Sequence, residues 1–178
     1  MKKIILITSF LTIGFANYLQ AQKILNIMKN LVKTLLATHP NIGFSIARLT
    51  LGLVIFPHGA QKLLGLFGGY GYTATMESFT TQMGLPSIVA FSIIMIEFFG
   101  SISLILGFFS RFWALALSGM FIGIIYMTQL EHGFFMNWYN NQAGEGYEYS
   151  LLIIGLALSI MINGSGKWSI DKLISKKQ

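Results

Sequence analysis

The sequence predicts an all-α integral membrane protein built as a four-helix bundle, and three observations carry that prediction. Of the 178 residues, 54% are hydrophobic and only 10% are charged, against roughly 25% charged in an average soluble domain. A water-soluble fold of this size could not hide so much apolar side chain. The apolar residues gather into four long segments, each near the ~20 residues a helix needs to cross the hydrocarbon core. Outside the segments, lysine and arginine fall only before the first, in the second link and after the last, the alternation that the positive-inside rule describes.

Residues 1–27 stand apart from this pattern. "MKKIILITSFLTIGFANYLQAQ" has a basic start, an apolar run and a small residue, Ala21, before Gln22, which is the form of a secretory signal peptide. Cleavage there would place the lysine-bearing tails and Arg111 outside, against the charge rule. The other reading is an extension upstream of a start at Met28, with residues 28–178 as the membrane domain. The expected spans run from Phe44 to Leu66, Pro86 to Phe109, Phe112 to Leu130 and Tyr147 to Gly164. The link "FSRF" is short enough to make the second and third spans antiparallel neighbours. In the first link, Met76, Phe79, Thr80 and Met83 recur at helical spacing, so a short helix lying at the membrane interface is expected. Glycine and serine recur in "EFFGSISLILG" and "ALSGMFIGII", which predicts close approach of neighbouring helix backbones.

Lys29, Lys33, Arg111, Lys167, Lys172, Lys176 and Lys177 all fall on one side of the four spans, so both termini of the bundle are expected to be cytoplasmic, in the inner membrane of a bacterial cell. The basic residues form no stripe that could follow a phosphate backbone, which argues against a nucleic-acid partner and leaves membrane lipid as the surroundings. Cysteine is absent, which excludes disulfides, thiolate metal sites and thiol chemistry by this chain. Glu131, His132, Glu145 and Glu148 share the third link without metal-ligand spacing, so no metal site is expected. "GSGKW" lacks the spacing of a phosphate loop and reads as a glycine stop followed by an interfacial tryptophan and lysine.

Ionisable groups within the spans are the candidate functional residues, because each is expensive in lipid. At about 100° per residue, Arg48, Gly52, Ile55, Gly59 and Lys62 lie within roughly 80° of one another, with His58 at the margin of that face. Glu97 lies near the middle of the second span. The expectation is one polar pocket between the first two helices, with Glu97 accepting from Arg48 or His58 and Lys62 toward the outer end. Tyr147 and Glu148 are expected at the outer mouth. A histidine beside a carboxylate is a combination able to move protons near neutral pH.

"ARLTLGLVIFPHGAQKLLGLFGG", "GLP" leading to "IEFFGSISLILGFFSRFWAL", and "GYEYSLLIIGLALSIMINGSGKWSID", in that order, resemble the DoxX family of small bacterial membrane proteins. The resemblance covers about Asn41 to Leu173, favours the Met28 start and implies a four-helix membrane fold. The matching positions are Arg48, His58, Gly59, Lys62, Glu97, Gly100, Gly107, Arg111, Glu148 and Asp171. The family's terminal-oxidase and thiosulfate:quinone oxidoreductase setting implies a subunit of a quinone-linked redox system, with quinone as the cofactor and membrane or peripheral redox proteins as partners. With no cysteine in the chain, thiosulfate chemistry is not carried over. The alternative is a non-catalytic membrane scaffold or a small-solute permease.

Overall fold

The computed structural model describes residues 2–176, with side chains described from Asn17 onward, so Lys177 lies outside the described residues. Every regular element among them is helical. Helix α1, Lys2–Leu36, is continuous through Ala21 and Met28, and the chain up to Thr34 is a compact unit distinct from the residues that follow.

The second unit is the bundle. Helix α2, Ile42–Leu64, starts where the Asn41 side chain accepts from the Gly43 amide at 2.7 Å, the N-cap geometry that satisfies one orphan donor. It stops at Gly65, whose φ of 71° is the left-handed conformation that a C-cap glycine supplies. The short helix expected in the first link is α3, Gly71–Glu77, extended by a π-helical turn over Ser78–Gln82. The second long helix is α4, Ser87–Met95, a π-helical turn at Ile96–Gly100, and α5, Ser101–Leu106. Helix α6, Ser110–Ile124, continues through a π-helical turn to Gln129 and a 3-10 turn to His132. Helix α7 is Glu148–Asn163, and a short α8, Ile170–Ser175, closes the chain.

Three of these helices, Ile42–Leu64, Ser87–Leu106 and Ser110–His132, are long and apolar enough to cross a membrane, while the fourth apolar helix, Glu148–Asn163, is shorter. At 1.5 Å per residue α7 reaches only about 24 Å, less than the ~30 Å hydrocarbon core. One core joins all four: Leu51 and Ile55 from α2, Leu104 from α5, Leu117 and Phe121 from α6, Ile153 and Ile160 from α7. The outward residues are large and apolar, with Leu53 59%, Ile88 70% and Leu152 69% exposed, which is the surface a lipid-embedded bundle presents.

Glycine decides how closely α2 meets the second long helix. A Cβ on Gly59 would lie 2.5 Å from the Phe98 amide nitrogen and 2.6 Å from the Glu97 carbonyl carbon, and one on Gly52 would lie 2.9 Å from the Ser101 oxygen. These two helices touch backbone to backbone, as small residues permit in membranes. The same expectation fails in α6: nothing lies within 4 Å of a Cβ built on Gly119 or Gly123. Those two glycines face a space instead of a helix. Gly59→Ala is therefore expected to lower the melting temperature in detergent by the equivalent of about 1–3 kcal/mol, the range for overpacking. Gly155→Ala in α7, where nothing lies within 4 Å, should leave it unchanged.

Candidate functional site

Two polar clusters lie at different depths of the bundle, and the residues expected in one pocket are divided between them. Arg48 to Lys62 is about 21 Å along a helix axis. Sharing a face in projection does not bring them to one carboxylate.

Arg48 is 1% exposed and is held by main-chain oxygens. Its Nε donates to the Ser165 carbonyl at 2.9 Å, Nη2 to that of Trp168 at 2.6 Å, and Nη1 to those of Ile105, at 2.7 Å, and Leu104. It therefore ties the end of α5 to the "GSGKW" segment, and Glu97 does not accept from it. Buried Asp171 works beside it: its carboxylate accepts from the amides of Phe109 and Ser110 at 2.7 and 3.1 Å and from the Ser165 hydroxyl. Phe109 has a φ of 49°, uncommon for a bulky residue, and two amides bonded to one carboxylate hold that turn in place. Ser45 Oγ accepts from the Lys167 amide at 2.8 Å, and Arg111 donates to the carbonyls of Ala37 and Met161 at 2.9 and 2.8 Å. This end of the bundle is a fastening.

The second cluster is an ion pair. Lys62 Nζ donates to Glu97 Oε2 at 2.5 Å, with the lysine side chain 25% and the carboxylate 6% exposed. Gly59, one turn before Lys62, rests on the backbone of Glu97 and Phe98, so the same contact that packs the helices sets the reach of the lysine. Among the described residues Glu97 Oε1 has no hydrogen-bond partner. His58 is exposed on the surface of α2 and makes no hydrogen bond or ion pair among the described residues, so it does not join Lys62 and Glu97.

Above the pair opens a cleft of about 480 Å³, lined by Lys62 and Glu97 at its polar end and otherwise by Phe79, Met83 and Leu85 of the first link, Ile88 to Ile96 of the second long helix, and Gly119 to Thr128 of α6. It lies mainly between the second and third long helices, not between the first two. Its two hydroxyl residues are turned to the main chain, Ser92 to the Ile88 carbonyl at 2.7 Å and Thr128 to that of Ile124 at 2.9 Å. The ion pair is therefore its one free polar feature. Exposed Ile88, Val89 and Met127 on its rim make it open on the apolar flank of the bundle. The α6 wall could have been suspected from Gly119 and Gly123, four residues apart in "SGMFIGII", but that spacing ordinarily signals helix contact.

Tyr147 and Glu148 stand at the start of α7, at the end of the third link. Glu148 Oε1 accepts from the Met136 amide at 3.2 Å and from the Trp138 indole at 2.9 Å, and Tyr147 packs edge-on against Phe134. They secure that link beside a second cavity of about 430 Å³. No group of three potential metal ligands occurs among the described residues.

Fold and site together define a small helical membrane protein with an apolar cleft ending on a buried ion pair. The family model described as DoxX matches residues 43–130, so this segment, which holds Arg48, His58, Lys62 and Glu97, is a DoxX domain, the family that the sequence resembles. The chain is 29% identical over 137 residues to "Inner membrane protein YqjF" of Escherichia coli (strain K12), covering 77% of this chain and 95% of that protein. It is 26% identical over 135 residues to "Putative oxidoreductase CatD" of Bacillus subtilis (strain 168), covering 76% and 89%. No solved structure matches.

Two outcomes separate the clusters. Arg48→Met strips four bonds from main-chain carbonyls that are buried or partly buried and should cost about 3 kcal/mol or more in thermal unfolding, with Arg48→Lys recovering only part because an ammonium lacks the planar fork. Lys62→Met alone should destabilise by about 3 kcal/mol, by leaving a buried carboxylate unpaired, whereas Lys62→Met combined with Glu97→Met should recover most of the loss in the same melts.

Proposed function

We propose that the protein is a quinone-binding membrane subunit of a redox system, set in the bacterial cell membrane with both ends of its bundle domain cytoplasmic. The observation that carries this reading is the apolar cleft that opens on the lipid-facing flank and ends on the Lys62–Glu97 pair. A ligand that lives in the bilayer reaches such a cleft without crossing water, and it needs a polar head and an apolar body. At about 480 Å³ the cleft falls within the 300–1,000 Å³ usual for small-molecule sites.

The donor set suits a quinone head. Lys62 uses one hydrogen on Glu97 Oε2 and keeps two for a carbonyl oxygen. Glu97 Oε1 is placed to accept from a ring hydroxyl or to hold a proton. A bound quinone supplies two-electron, two-proton carrier chemistry. This chain binds and orients the head, keeps water from it with Phe79, Met83 and Leu85, and places a carboxylate beside it. Electrons would pass to or from a membrane or peripheral redox partner. That one relative carries an oxidoreductase name supports the redox setting, and a relative named as an inner membrane protein supports the location. Arg111, Lys167 and Lys172 lie at the Arg48 end, which on the positive-inside rule is the cytoplasmic end and leaves the cleft toward the outer half.

A scaffold role is favoured by one feature, exposed His58 among the outward apolar residues Leu53 and Val54. A histidine facing lipid alone is costly, and a partner helix covering it would remove that cost. The two readings part in one experiment. Protein purified in mild detergent should carry quinone detectable by solvent extraction and mass spectrometry, and Glu97→Gln and Lys62→Gln should each lower its retention by about tenfold, a loss of one charge-assisted hydrogen bond. Wild-type protein that neither retains quinone nor binds added decylubiquinone, but loses a co-purifying membrane protein on His58→Leu, would leave only the scaffold.

A further inference from the structure

We infer that Gly119 and Gly123 determine the shape of the cleft's ligand: they leave a patch of bare helix backbone on one wall, so that a flat ring can lie against α6 there. This inference deepens the quinone reading above and rests on it. Paired glycines four apart on a membrane helix normally seat another helix, as Gly52 and Gly59 do here, seven residues apart on α2. At those positions an added Cβ would collide with the neighbouring backbone at 3 Å or less. At Gly119 and Gly123 it would meet nothing within 4 Å, and both residues line the cleft. The packing of this chain gives no reason for glycine at either position, and glycine is a poorer helix former than alanine. The space in front of them therefore supplies the reason.

The lining suits a bilayer ligand. Besides the two long helices, Phe79, Met83 and Leu85 of the first link wall the cleft. The facing wall is branched, with Ile88, Val89, Ile93 and Ile96, whereas the α6 side offers bare backbone at Gly119 and Gly123, framed by Met120, Ile124 and Met127. The polar end holds a reachable ammonium and, on a carboxylate 6% exposed, an oxygen without a partner. A planar ring with oxygen at its edge matches a cleft with a bare patch between side chains on one wall and polar groups only at its end. A flexible acyl chain has no need of that patch.

The test uses Gly119→Ala and Gly123→Ala in the full-length protein, with two probes: decylubiquinone, which has a ring and a short chain, and dodecanol, which has a hydroxyl and a chain but no ring. Each methyl projects into open space, so both variants should melt at or above the wild-type temperature. Decylubiquinone should bind about tenfold or more weakly to each, the usual effect of one extra carbon in an apolar pocket, while dodecanol affinity changes less than threefold. Unchanged decylubiquinone affinity in both variants, with wild type binding it, overturns the role of the glycines and leaves the quinone reading standing. Equal weakening of both probes overturns the flat-ring specificity. A change in oligomeric mass by native mass spectrometry with no change in probe affinity reassigns the wall to a docking helix. Wild-type protein that binds no decylubiquinone removes both the quinone reading and this inference.

Discussion

The backbone contact between α2 and the second long helix is the constraint on which the rest of the bundle depends. With glycine at positions 52 and 59, the two helices approach to a distance that a single Cβ would prevent. That approach fixes the axial register, because Gly59 can lie only where Glu97 and Phe98 present backbone, and Gly52 only where Ser101 does. Once the register is fixed, each polar side chain of α2 has one possible level. Lys62, one turn beyond Gly59, meets Glu97 at 2.5 Å. Arg48, one turn before Gly52, meets the end of α5, where Gly107 terminates the helix and leaves carbonyls free. The ion pair and the arginine clamp are two consequences of one packing choice.

These consequences differ in chemical availability. Arg48 is 1% exposed and enclosed by oxygens of Leu104, Ile105, Ser165 and Trp168, which engage four of its five N–H donors, so it has little to offer a ligand. Its work is to hold the "GSGKW" segment under the bundle, together with Asp171 and Ser45. Lys62 has one hydrogen engaged and a side chain a quarter exposed. Buried ion pairs seldom stabilise a fold more than well-packed apolar residues would, so stability alone is a poor reason for Lys62 and Glu97 to sit in an otherwise apolar wall. Their opening onto the cleft supplies a better one.

Much of the fold was legible in the sequence because membrane insertion leaves a simple record. Apolar runs ending at Gly65, Gly107 and Gly164 place the helices to within a few residues, and the differences have local causes. Leu66 continues the apolar run beyond α2, but Gly65 has already turned the chain; Phe108 and Phe109 are apolar yet belong to the turn that Asp171 secures. The site was half legible. Angular projection placed Arg48 and Lys62 on one face correctly but carried no axial distance, and the pocket drawn from it joined groups about 21 Å apart. His58 lay at the margin of that face, and a margin can turn either way; it turns outward. Glycine was ambiguous for a similar reason. The same residue type marks close contact at Gly59 and open space at Gly123, and only the neighbouring helix decides which.

Local backbone geometry explains how one small bundle both packs and leaves a cleft. Three π-helical turns, Ser78–Gln82, Ile96–Gly100 and Ile125–Gln129, occur in the three elements that wall the cleft, and Phe79, Glu97 and Thr128 lie on them. A π-helical turn widens the helix by one residue and shifts the faces before and after it relative to each other. In the second long helix, Ile94 before the turn and Leu104 after it are both wholly buried, with Glu97 carried between them to the side where Lys62 waits. The three irregular turns all fall on elements that wall the cleft, and such turns occur mostly at functional sites, so the backbone departs from regular helix where Lys62 and Glu97 meet the open space.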